Sequence, residues 1–132
     1  MHRCPCSLAL ITLLRLSLAD ALRIDDSDPT VQYSGPWTNG YNVPDDASLN
    51  WDGTLHYSNI SGTTVTLKFT GTSIAVFGSF HPPGRYSMQS QYSVDGQQPF
   101  TFIPDQEVPT ALHQILFYSS GQLPYGEHSL VV

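Results

Sequence analysis

The side chains in this sequence best suited to holding a ligand are aromatic. Trp37, Tyr41, Trp51 and Tyr57 gather in a loop-rich stretch with many Gly, Asn and Asp residues. Trp and Tyr rings offer flat apolar faces to a pyranose ring, and polar neighbours can read the hydroxyls. In this arrangement Tyr41 and Trp51 would supply the face, and Asn39, Asn42, Asn50 and Asp52 the neighbours. Separations of this size are easily bridged by loops at one end of a β structure. The same residue types also build cores. Trp37 is read as a core residue, whereas Tyr41 and Trp51 suit either role equally.

The carboxylates carry a weaker signal. Asp25, Asp26 and Asp28 lie close together ahead of a strand, and calcium takes about six to eight oxygen ligands. The EF-hand spacing and its distal Glu are missing, so this cluster is only a weak calcium candidate. Asp side chains bonding nearby backbone amides explain it better. Asp45 with Asp46, and Asp105 with Glu107, are further acidic pairs. Glycoside hydrolysis needs two carboxylates about 5 to 9.5 Å apart across a cleft. Nothing in the spacing sets these pairs opposite one another, and both read as solvated loop.

His56, His81, His113 and His128 are scattered, with no pair at a metal-ligand spacing. There is no G-x-S-x-G elbow, no phosphate-cradling glycine loop and no cysteine nucleophile. The expectation is a chain without catalytic residues, cofactor or resident metal. Asn59-Ile60-Ser61 is an N-glycosylation acceptor triplet.

The elements that would position these residues are strands. Val65, Leu67 and Phe69 alternate with Thr64, Thr66 and Lys68, which predicts a strand over Thr63–Phe69 with one buried face. Similar short runs occur at Thr30–Ser34, Ser73–Ser79, Tyr86–Val94, Phe100–Ile103, Gln114–Tyr118 and His128–Val132. Asp95-Gly96 is a hairpin signal, since both residue types accept positive φ. His81-Pro82-Pro83-Gly84 must be loop, because two prolines in succession remove two ladder donors. Strands at this spacing, with no convincing helical periodicity after Leu22, predict an all-β antiparallel sandwich or jelly roll.

The start of the chain has a different character. His2 and Arg3 precede an apolar run, Leu8–Leu14, and Ala19-Asp20-Ala21 is a small-x-small cleavage pattern. Residues 1–21 therefore read as a secretory signal peptide; the run is far shorter than the ~20 residues that span a bilayer. A buried N-terminal helix is the alternative. Cleavage would remove both cysteines, Cys4 and Cys6, leaving residues 22–132 as one disulfide-free domain held by its core. That part keeps three basic residues, Arg23, Lys68 and Arg85, against ten of the chain's eleven acids, a net charge of −7. Nucleic acid and anionic membrane, which need basic patches, are poor partners for it.

An ordered series of motifs carries a resemblance. It begins with Ile24–Pro29, Tyr33–Trp37 and Gly53–Ser58. It continues with Phe69–Gly78, Tyr92–Gly96 and Gly126–Val132. Together they resemble the N-terminal ectodomain of a large group of fungal, chiefly basidiomycete, surface proteins, across essentially all of Leu22–Val132. The resemblance implies a galactose-binding-like jelly roll. In that group the domain usually precedes a Ser/Thr-rich stalk and one transmembrane helix. Neither is present here, so the expectation is a secreted version or a domain truncated at its C-terminus. The resemblance brings no site residues with it, and fold alone does not give function. The leading expectation is a non-catalytic extracellular recognition domain for neutral glycan or cell-wall polysaccharide. An interaction ectodomain without a sugar site stands second, and a sandwich-fold hydrolase last.

Overall fold

The computed structural model describes residues 6–14, 22–39, 56–58, 60–80, 89–104 and 112–132. All regular structure among them is β. Eleven strands are described: β1 (Cys6–Leu14), β2 (Leu22–Asp25), β3 (Val31–Ser34), β4 (Thr38–Asn39), β5 (His56–Ser58), β6 (Thr64–Gly71), β7 (Ser73–Phe80), β8 (Ser90–Val94), β9 (Phe100–Phe102), β10 (Leu112–Ser119) and β11 (Gly126–Val131). No helix among the described residues is long and apolar enough to cross a membrane.

They form two antiparallel sheets. One runs β10-β7-β1-β5-β4, with β2 also paired to β1; the other runs β3-β6-β11-β8-β9. Cys6–Leu14 is thus a strand, pairing with β7 from Ser7↔Ser79 to Leu14↔Ser73. Its other edge meets β5 near Cys6 and β2 near Leu13. The buried N-terminal alternative was expected as a helix; the backbone is extended instead, where it completes ladder bonds along β7.

The two sheets share one core. Val31, Val65, Leu67, Phe69, Tyr92, Val94 and Leu130 come from the second sheet, and Ile74, Val76 and Phe117 from the first. The alternation in β6 sets its register: Val65 and Leu67 are each 1% exposed and Phe69 is buried, while Lys68 faces water. Each such side chain contributes roughly 1.5 to 3 kcal/mol by leaving water. Asp95 and Gly96 both adopt positive φ, 54° and 70°, and the Gln97 N–H donates to the Val94 carbonyl at 3.1 Å. The turn is as expected, but pairing with β9 begins only at Tyr92↔Phe100. β8 pairs across its other edge with β11 at Val94 and Ser93. In β10, Gln114 (φ 52°) sits where the pairing with β7 shifts between Leu112 and Ile115, a bulge in that edge strand.

Candidate ligand-binding cleft

β11 lies between β6 and β8. Val132 and Val65 exchange both backbone hydrogen bonds, at 2.9 and 2.8 Å, and Val131 is paired with Ser93 on the opposite side. Thr63 and Thr64 on the β6 side and Ser90 and Gln91 on the β8 side line a cleft of about 330 Å³.

Trp37 lines the cleft, and the local sequence explains its position. Gly35 turns the chain out of β3 with φ +88°, where a side chain would be strained and a Cβ would stand 2.8 Å from Thr63 Cγ2. The Trp37 indole N–H then donates to the Ser34 carbonyl at 3.2 Å. Its ring meets Tyr33 edge-on, with centroids 5.2 Å apart. Half-buried Trp37 packs against the core and lines the cleft at once.

A buried acid–histidine pair anchors this corner. Asp26 is completely buried, and its Oδ2 lies 2.6 Å from His56 Nδ1. A carboxylate only accepts, so Nδ1 carries the proton. The His56 ring stacks on Tyr33 at 4.3 Å, and the Tyr33 hydroxyl donates to the Asp26 carbonyl. Burial, together with the nearby Asp26 and Asp25 carboxylates, pushes the Tyr33 phenol well up, so it remains a donor. Held by His56, β5 presents Ser58, whose hydroxyl donates to the Pro36 carbonyl at 3.0 Å and accepts the Ile60 N–H. Thr63 Oγ1 donates to the Ile60 carbonyl, closing the floor. Across the cleft, buried Ser90 donates to the Tyr92 hydroxyl at 2.8 Å.

The described lining is uncharged. Besides Trp37 it offers the hydroxyls of Ser58, Ser61, Thr63, Thr64, Ser90 and Ser93 and the amides of Gln89 and Gln91. Apolar surface comes from Ile60, Pro99, Val131 and Val132. Such a surface can donate and accept hydrogen bonds against a neutral ligand.

Tyr41, Asn42, Asn50, Trp51 and Asp52 lie outside the described residues, as does the glycosylation acceptor Asn59. Asn39 ends β4, its backbone paired with His56. The three clustered aspartates divide between two roles. Asp28 Oδ1 accepts the Thr30 N–H and hydroxyl, which lowers its pKa. Asp25 accepts the Ser27 N–H and hydroxyl. Both fit the turn reading, whereas Asp26 does not: it turns inward to His56, where a buried carboxylate requires a partner. Among the described residues no group of three His, Cys, Asp or Glu is placed to hold a metal ion.

Two further histidine pairs escaped the sequence. Ser79 Oγ is 3.1 Å from His113 Nδ1, but Ser79 is completely buried and closed to any substrate. His128 Nδ1 lies 2.6 Å from Asp95 Oδ2, and its Nε2 lies 2.7 Å from the Pro124 carbonyl. Each pair joins positions more than thirty residues apart, and no local spacing signals it.

Comparison of the chain with protein-family models, with curated proteins and with solved structures finds no match. The cleft must be read from its own chemistry.

Proposed function

We propose that this chain is a non-catalytic extracellular recognition domain of jelly-roll, galactose-binding-like type, and that it holds an uncharged ligand in the cleft beside Trp37. The observation that carries this reading is the lining: hydroxyls and amides around one aromatic ring, with no charged side chain among the described residues. Charge is abundant elsewhere in the chain, which has eleven acids. A neutral site in an acidic domain selects against polyanions at long range, within a screening length of about 8 Å in physiological salt. Neutral glycan, including cell-wall polysaccharide, has the hydroxyl chemistry such a lining can read. Export after cleavage at Ala21 belongs to the same reading and rests on the leader-like start of the sequence.

A glycan array followed by amide-resolved titration tests this. Hits should be uncharged and should shift the amides of Thr64, Gln91 and Ser93. Gln91 is exposed, so Gln91→Ala should weaken binding roughly tenfold, the size of one or two lost hydrogen bonds, without moving the thermal midpoint. Polyanionic hits, or shifts confined to another surface, would overturn the proposal.

A further inference from the structure

We infer that His128 is a pH-operated latch on the loop that presents Tyr125, closed while the imidazole carries both ring protons and open once it holds one. The device is separate from the cleft: it sits where β11 begins, about 17 Å along that strand from Val131. Each ring nitrogen faces an acceptor. Nδ1 lies 2.6 Å from Asp95 Oδ2, and Nε2 lies 2.7 Å from the Pro124 carbonyl. A carboxylate and a carbonyl only accept, so both contacts are hydrogen bonds only when both nitrogens are protonated. A neutral ring has one N–H and must give up one of the two. Tyr125, next to Pro124, is 74% exposed, so the loss of the Pro124 bond acts on an aromatic side chain already in water.

The surroundings decide which bond is lost. A hydrogen bond to a carboxylate is roughly twice as strong as one between neutral groups. Asp95 is also fixed from two other directions: its Oδ1 accepts the Ser129 N–H, and its own N–H donates to the Ser129 carbonyl, both at 2.8 Å. The loop is fixed on either side of the latch and not at it. Leu123 donates to the Thr72 carbonyl and packs against the core, and Gly126 is paired with Gly71. Between them Pro124 has no N–H to donate, and both Pro124 and Tyr125 are exposed. The neutral ring therefore keeps its proton on Nδ1, toward Asp95, and turns a lone pair on the Pro124 carbonyl. Two acceptors at that distance repel, and Pro124–Tyr125 swings out between its fixed ends. Among the described groups, Asp95 is the titratable one that faces the ring. Phe69 is paired with His128 on β6 and its ring lies 5.4 Å away. Glu127 and Lys68, beside these two on β11 and β6, alternate to the other face of the sheet. Asp95 first, then the Pro124 and Gly71 carbonyls, hold the His128 pKa above the ordinary 6.5 against a smaller effect of burial. The latch is closed at that pH and opens on the alkaline side.

Carbon–proton NMR spectra of the full chain, recorded from about pH 5.5 to 8.5 across the range in which a histidine titrates, test this. The Pro124 and Tyr125 signals should titrate together with the His128 ring, with a midpoint above 6.5. The Tyr125 Cα order parameter should fall from about 0.85 to below about 0.6 as pH rises, while those of Asp95 and Ser129 stay near the higher value. Asp95→Asn should lower the shared midpoint, because it removes the largest cause of the raised pKa. His128→Gln should leave no pH-dependent change at Tyr125. If Asp95→Asn does not fold, the native chain and His128→Gln decide the matter. A Tyr125 that stays rigid while His128 titrates would overturn the inference, as would a loop transition that persists in His128→Gln or a midpoint that Asp95→Asn does not move. Loosening at Asp95 in place of Tyr125 would put the lost bond on the other nitrogen and overturn it too.

Discussion

The two sheets draw on different parts of the chain. The sheet of β3, β6, β11, β8 and β9 is built wholly from residues 31–131. The other depends at its centre on Cys6–Leu14, which stands between β7 and the pair β5 and β2. The first is held by an alternating pattern, in which inward and outward residues differ in kind. The second includes a nearly continuous apolar run, Leu8–Leu14, whose composition equally suits a secretory leader. Hydrophobic burial has no direction, so an apolar run will fill an open β7 edge whatever its other role. β7 is paired on both sides, with β1 and β10; a chain beginning at Leu22 would keep β10 alone as its neighbour.

The largest expected effect tests that contrast directly. A chain starting at Leu22 should melt roughly 10 °C or more below the full chain, the shift expected for losing several kcal/mol. Amides of β7 should lose protection from hydrogen exchange while β6 and β11 keep theirs. Identical midpoints and identical β7 protection would show that β1 contributes nothing and that the sheets are equals.

A smaller effect sharpens the comparison from the other side. Leu67 is 1% exposed and lies between Val31 and Leu130 in the sheet built from residues 31–131. Leu67→Ala should cost about 2 to 5 kcal/mol in denaturant unfolding. Thr66→Ala, on the opposite face, should cost less than about 0.5 kcal/mol. Equal costs would mean that the alternation does not set the register.

The smallest effect concerns the tie between β8 and β11 at the end away from the cleft. Both His128 nitrogens face acceptors, which favours the imidazolium. The bond to Asp95, then that to the Pro124 carbonyl, raises its pKa above the ordinary 6.5. Asp95 is held below its ordinary value by His128 and by the Ser129 N–H. The His128 contribution is therefore complete below pH 6.5 and is lost as pH rises through the raised value. That of Asp95 is lost only as pH falls through its lowered one. The stability advantage of the native chain over His128→Gln should shrink on the alkaline side, measured as thermal midpoints from mildly acidic to alkaline pH. A difference that does not vary with pH would remove the ion pair from the account.

What was legible in the sequence was whatever depends on near neighbours. The face of β6 followed from the period-two alternation of Val65, Leu67 and Phe69, and the Asp95-Gly96 turn from residues that tolerate positive φ. Asp25 and Asp28 bond to residues two positions away, as a turn-forming aspartate should. The strands β4 and β5 span two and three residues, too few to show any period, and only pairing defines them.

The tertiary structure alone decided the rest. Asp26 looks like its neighbours in sequence, yet it is buried because His56, thirty residues on, comes back to meet it. Cys6–Leu14 reads as leader by composition, and only the open edge of β7 makes it a strand. The cleft has no signature of its own, since Thr63, Ser90 and Gln91 belong to ordinary strand sequence. It forms where β6, β11 and β8, distant in the chain, come side by side. Local chemistry fixes which way a side chain points, but strand order is settled by which distant edges find each other.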